Sequence, residues 1–314
     1  MEDHTFRRQP NQQNAMRVRP VGEVFDPQGF AIGYTFLKPM GQKMPAFWKK
    51  YYSVPAEHGA WIWWIGPLIL GAFAGGIWNP GLIWLTLAAL IAFLSRQPAS
   101  VLVKTFSGRR PARERKPALI WLSFYAAVAT LSVAQLIRLE HTQVLWLAVP
   151  AIPILVWHFA LIAQRRERKQ MGIEIIGTGT LALAAPAAYW VGGGNDSVFP
   201  WILWLVSWLQ SAASITLVYL RLAQKDWVEG LSLEDRLRRG SRALAYHGFN
   251  FVVGWAVVVF SGFNPLAGIA FTLMLVDALW AILQPAHNWR PKNIGMRQLA
   301  SSGLFFLMLI LSLP

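Results

Sequence analysis

Few side chains in this chain are placed to do chemistry from inside an apolar run, and Asp277 is the clearest of them. It sits within the run 265–284, where a carboxylate near the middle of a membrane helix costs about 2.5–3.5 kcal/mol. Such a group must face the protein interior and find a partner. It then serves either as a hydrogen bond between helices or as a substrate or proton site. A second signal is Pro55-Ala-Glu-His-Gly-Ala-Trp61. Glu57 and His58 could act there as acid and base, or a protonated His58 could hold an anion. The structural alternative is a helix start, with Glu57 at the positive end of the helix dipole and Trp61 anchoring the interface.

The third signal is the charged segment from Arg221 to His247, with six Lys/Arg and four Asp/Glu between two hydrophobic runs. Asp226 and Asp235 are its candidate catalytic acids. Ser232 and Asp235 also have the spacing of a helix-capping box. Arg236 and Arg239, with Arg96, Lys104, Arg109, Arg110, Arg290 and Lys292, could rim an anion site, although most such residues set topology or touch anionic lipid. His158, Gln210, His247 and Asn250 complete a set of polar residues on the inner halves of apolar runs, where they could line one cavity with Asp277. No pair of histidines has the helical spacing of metal ligands, so no metal site is assigned. No Walker loop, dinucleotide fingerprint, GxSxG or HExxH is present.

These residues are positioned by a chain that reads as membrane-spanning. Of 314 residues, 55% are hydrophobic and 14% charged, against about 25% charged in soluble domains. Seventeen Trp suit a membrane–water interface. Nine runs approach the roughly 20 apolar residues that a span requires: 60–78, 80–95, 118–137, 143–163, 174–191, 199–220, 242–260, 265–284 and 298–313. The expected fold is therefore an all-α, polytopic transmembrane bundle of about nine spans, occupying 51–314. Residues 1–50, polar and broken by five prolines, are expected to form a largely disordered cytoplasmic tail. No long apolar signal-peptide core is visible there.

Charge fixes the expected orientation. If the spans alternate, 28 of the 29 Lys/Arg fall on one side, and only Arg138 falls on the other. That asymmetry predicts N-in, C-out topology, with the basic loops in the cytoplasm. It also argues that the net charge of +14 reflects topology, with no nucleic-acid partner. Cysteine is absent, which excludes disulfides and thiolate chemistry. Gly71 and Gly75, Gly177 and Gly179, and Ser207 and Ser211 have spacings that allow close helix contact in lipid. Pro67, Pro153 and Pro186 are expected to kink their spans. The short Trp78-Asn79-Pro80 link makes the first two spans an antiparallel pair.

Three motifs carry a family resemblance: Pro55–Trp61, Arg221-Leu-Ala-Gln-Lys-Asp-Trp227 and Arg236-Leu-Arg-Arg-Gly-Ser-Arg-Ala-Leu244, with Arg290-Pro-Lys-Asn-Ile-Gly295 in support. On these the chain resembles the YwiC-like family of bacterial membrane proteins, roughly over 52–314. The resemblance supplies a location and no activity.

A weaker likeness is architectural. Nine spans with charged inner loops after the second and sixth are similar to UbiA-type intramembrane prenyltransferases, which would imply Mg²⁺ and a prenyl diphosphate held by Asp-rich loops. The loop Ser95–Pro117 holds only Glu114, however, and Asp226, Glu229, Glu234 and Asp235 lack that family's spacing.

The expected function is binding of an amphipathic or anionic small molecule in a cytoplasm-facing intramembrane cavity, with membrane lipid as the surrounding partner. A UbiA-like enzyme and a secondary transporter working through Asp277 are the alternatives.

Overall fold

Proline and glycine punctuate the apolar runs. The computed structural model describes residues 58–164, 171–227, 230–287 and 289–314; the expected tail 1–50 and Glu57 lie outside them. A short 3₁₀ turn, His58–Trp61, leads into α1 (Ile62–Gly75). Gly76, in the left-handed region at φ 82°, closes α1 by donating its N–H to Ala72 O. A three-residue link then reaches Pro80 at the first position of α2 (Pro80–Phe106), where the fixed proline φ suits a helix start. Asn79 caps that start by accepting from the Gly81 N–H, 2.8 Å away.

The remaining helices are α3 (Arg115–Arg138), α4 (Ala148–Ala163), α5 (Met171–Ala182), α6 (Ala184–Val191), α7 (Phe199–Ala223), α8 (Leu233–Ser261), α9 (Leu266–Leu283) and α10 (Pro291–Leu311). Among the described residues the fold is all-α. Eight helical stretches are long and apolar enough to cross a membrane, and a ninth, Gly59–Gly75, is shorter. The chain is thus a multi-pass membrane protein.

Several elements begin earlier than their apolar runs suggest. The last helix starts at Pro291, seven residues ahead of the expected 298. The charged stretch after Ser232 is continuous helix with the run behind it, and Ser232 Oγ accepts from the Asp235 N–H at 3.1 Å. The Asp235 carboxylate accepts a hydrogen bond from the Ser232 hydroxyl in return. Of the expected proline effects, the fifth span shows a break. Pro186 has no N–H to offer Ala182 O, so the span divides at Leu183 into α5 and α6. Pro67 and Pro153 lie inside uninterrupted α1 and α4.

The core has two neighbouring clusters. One is built on Leu70, Leu203, Phe271 and Phe305; the other is built on Trp64, Phe93, Leu136 and Ala188. Helices α1 and α6 contribute to both, and glycine lets them meet. A Cβ on Gly71 would fall 2.0 Å from Ala185 O, and one on Gly75 would fall 2.7 Å from Tyr189 O. The two backbones therefore touch, as small residues permit in lipid. Helices α1 and α2, though joined by a short link, touch little, and meet through rings such as Trp64 and Phe93, whose centroids are 6.1 Å apart. Helix α3 packs almost wholly on α2 and leaves the rest of its apolar surface exposed.

Hydrogen bonds between helix ends and loops show that successive spans alternate direction. At one end Arg109 donates to Ile162 O, Tyr219 to Glu174, Arg221 to Gln284 O and Arg236 to Leu283 O. At the other, Asn79 donates to Val191 O and Asn264 N–H to Ser312 O. Among the described residues the first end carries nearly all the Lys and Arg.

Candidate functional site

Helices α7, α9 and α10 come together at the basic end around two arginines, one aspartate and two tryptophans. Arg297, in the second turn of α10, forms an ion pair with Asp277 of α9. Asp277 therefore has the partner that a carboxylate in a span requires. The Arg297 guanidinium also lies 4.3 Å from the centroid of the Trp280 ring. Arg221, at the end of α7, approaches Trp280 at 5.0 Å and Trp289 at 5.4 Å. Two guanidinium groups thus lie against one indole beside a single carboxylate, which pairs with Arg297, and the cluster keeps an excess of one positive charge.

Arg221 is only 3% exposed, and much of its bonding is structural. Its Nη1 donates to Gln284 O at 2.6 Å, to Ala281 O at 3.2 Å and to Gln224 Oε1 at 3.1 Å. Gln224, also buried, donates to Ala281 O and accepts from the Ala286 N–H. The last carbonyls of α9, which no helix can satisfy itself, are met this way by α7. A cation at that negative helix end is favourable. Arg221 Nη2 donates to no described group, nor does Gln298 Nε2.

Arg221, Asp277, Trp289, Arg297, Gln298 and Ser301 line a recess of about 20 Å³, room for roughly one water molecule. The polar cavity expected at this end is a narrow recess in this conformation.

The other expected site residues are dispersed. Arg236 donates to Leu231 O and Leu283 O, and Arg239 lies over Trp227 at 5.7 Å. Asp226 is exposed on the turn after α7. Asp235 is held by Ser232 and by Arg238 at 2.8 Å. His247 Nδ1 is 2.9 Å from Ala243 O in its own helix. Asn250 donates to Leu209 O, joining α8 to α7 beside buried Gln210. His158 is half-buried on α4, its ring against Phe159. His58 begins the 3₁₀ turn before α1. Of all these, Asp277 alone lines the recess.

Arg297, Arg221, Gln298, Trp280 and Trp289 were not singled out by sequence reasoning. Arg297 reads as loop when the last span is drawn at 298. The Arg290–Pro291 pair, with proline at the first helical position, was the available signal that α10 begins earlier.

The donor set also bears on Mg²⁺. Among the described residues no three His, Asp or Glu gather where they could hold a metal, and both Asp235 oxygens have partners. These residues do not fit a Mg²⁺–diphosphate site of the UbiA kind.

Comparison with known proteins agrees with the motifs. The family model described as YwiC-like protein matches residues 54–189. The curated protein titled "Uncharacterized protein YwiC", from Bacillus subtilis (strain 168), is 23% identical over 262 residues, covering 82% of this chain and 97% of that relative. No solved structure matches. The resemblance to the YwiC-like family is borne out. The family-model match ends before Arg221, so the basic-end cluster lies outside it.

Proposed function

We propose, taking the likeness to YwiC-like membrane proteins as premise, that this chain binds an anionic or amphipathic small molecule at its basic end. In this reading the basic end faces the cytoplasm of a bacterial cell, with N-in, C-out topology, because short basic loops are retained inside. The observation that carries the proposal is that two guanidinium groups, Arg221 and Arg297, line one recess with a single carboxylate, Asp277, which pairs with Arg297 and leaves Arg221 without a carboxylate partner among the described residues. An anionic head group supplies the missing negative charge. Guanidinium is the side chain best suited to grip phosphate or carboxylate through two parallel hydrogen bonds. The exposed apolar flanks of α9 and α10, with Leu273, Val276, Leu304 and Leu307, give an attached alkyl chain a lipid-like surface. Because the recess holds about one water, binding includes a local opening, for which the partly exposed Arg297 is the movable element.

The test is thermal unfolding of the protein in nonionic detergent with dodecyl phosphate, and with dodecanol as the neutral control. Dodecyl phosphate is expected to raise the midpoint saturably. At about 100 times its Kd a ligand adds about 2.7 kcal/mol. Arg297→Gln is expected to abolish the shift. Equal stabilisation by dodecanol, or an unchanged shift in Arg297→Gln, overturns the proposal.

A further inference from the structure

At the opposite end from the arginine cluster lies an open recess of about 330 Å³, lined by Gln143, Trp146, Trp190, Asn195, Asp196 and Ser197, with Gly194 between them. This falls in the size range of small-molecule sites. Its walls come from the 3₁₀ turn Thr142–Leu147 before α4, and from the last turn of α6 with the loop that joins it to α7.

The loop is firmly built. Ile77 donates its N–H to Gly192 O, and Gly194 donates to Tyr189 O, both at 2.9 Å. The Asp196 N–H donates to the Tyr189 hydroxyl. Gly194 lies against the Tyr189 ring so closely that a Cβ there would sit 2.3 Å from it. Asp196 Oδ1 in turn accepts from the N–H groups of Val198 and Phe199, at 2.6 and 2.7 Å. Those two bonds hold the carboxylate below the usual Asp range, so it stays charged at neutral pH.

The chemistry of the lining is one-sided. It carries one carboxylate, two indoles, two carboxamides and a hydroxyl, with no Lys or Arg. Trp146 is 74% exposed. An exposed tryptophan at a membrane boundary can serve as an interface anchor, but Trp146 shares a recess with a second indole and a fixed negative charge. Indole faces attract cations, and they do so most strongly for ammonium groups enclosed by aromatic rings. We propose that this recess binds an alkylammonium group, with Trp146 and Trp190 as its aromatic walls and Asp196 as its counter-charge. The group belongs to a zwitterionic lipid head or to a free organic cation.

The experiment uses the full chain in nonionic detergent, titrated with tetramethylammonium chloride and with choline and followed by calorimetry. The neutral choline isostere 3,3-dimethylbutan-1-ol is the control. Saturable binding of both cations is expected, at least tenfold weaker for the isostere. Trp146→Leu is expected to weaken it about tenfold, in line with loss of a cation–π contact, and Asp196→Asn to weaken it about tenfold through loss of the counter-charge. Both variants are chosen to fold: Trp146 is exposed, and Asn keeps the acceptor that Val198 and Phe199 require. Their thermal midpoints verify this. Competition by monomeric dihexanoylphosphatidylcholine that exceeds that of choline assigns the site to lipid heads; the reverse assigns it to a free cation. Equal affinity for the isostere, or full affinity in both folded variants, overturns the proposal.

Discussion

Arg297 and Asp277 are twenty residues apart in sequence and form an ion pair between α10 and α9, with the same guanidinium stacked over Trp280. Removing one member strands the other, whereas removing both leaves a neutral contact. Breaking such a pair costs more than replacing it. Asp277→Asn alone is expected to lower stability by about 1.5–3 kcal/mol, the range for hydrogen bonds to charged groups. The double variant Asp277→Asn/Arg297→Gln should recover part of that loss. A double-mutant cycle on thermal midpoints measures the coupling; strict additivity would mean the two side chains do not depend on each other.

Arg221 makes three hydrogen bonds through one terminal nitrogen, two of them to the last carbonyls of α9. Lysine keeps the charge but not the planar fork. Arg221→Lys is therefore expected to destabilise the protein by about 1.5–3 kcal/mol, read as a fall in unfolding midpoint. Arg238→Lys, on a side chain that is 77% exposed, should shift it little.

Two glycines should respond in opposite directions. A Cβ at Gly71 meets the backbone of Ala185, which cannot rotate away, while one at Gly177 meets nothing within 4 Å. Gly71→Ala is expected to cost at least the 1–3 kcal/mol typical of overpacking. Gly177→Ala should stabilise α5 by roughly 0.5–1 kcal/mol. Yield and unfolding midpoint of the two variants report the contrast directly.

Asp196 gives a pH dependence whose sign follows from its backbone bonds. The N–H groups of Phe199 and Val198 lower its folded pKa, so its contribution is present above the ordinary Asp value. That contribution is lost as pH falls through the lowered value. Asp196→Asn should flatten stability in that acid window while keeping the cap, and Asp196→Ala should lose the cap at every pH. Midpoints recorded from pH 6 downward distinguish the three proteins.

Orientation can be read by labelling, because the chain contains no cysteine. Lys225→Cys and Ser197→Cys place single thiols on exposed positions at the two ends. In intact cells an impermeant maleimide is expected to label Ser197→Cys only, and Lys225→Cys after lysis. The opposite pattern would invert the N-in, C-out reading.

Apolar runs made nearly all the spans legible, because lipid demands continuous hydrophobic length. The same signal obscured helix ends. Residues 291–297 and 233–241 are polar, yet they continue helices whose hydrogen bonding does not stop at the membrane surface. That is why Asp277 could be recognised from its surroundings while its partner Arg297 could not. Charge in an apolar run is conspicuous, and charge in a loop is ordinary. Arg221 was hidden for a related reason: one more arginine in a basic segment gives no sign that α9 terminates against it. The recess beside Trp146 depends on two segments about fifty residues apart, and no local pattern encodes that meeting.

The close seam between α1 and α6 has a bearing on how the chain is made. Of the described helices, α1 leaves the ribosome first, yet the backbone it touches most intimately follows it by more than a hundred residues, and α10, which also packs on it, follows later still. Helices α2 and α3, by contrast, are consecutive and complete each other at once. The earliest segment is also the shortest of the apolar helices. During synthesis it must wait in the bilayer, short and without its closest neighbours, while later segments assemble around it. Among the described helices, the packing around α1 is therefore completed late.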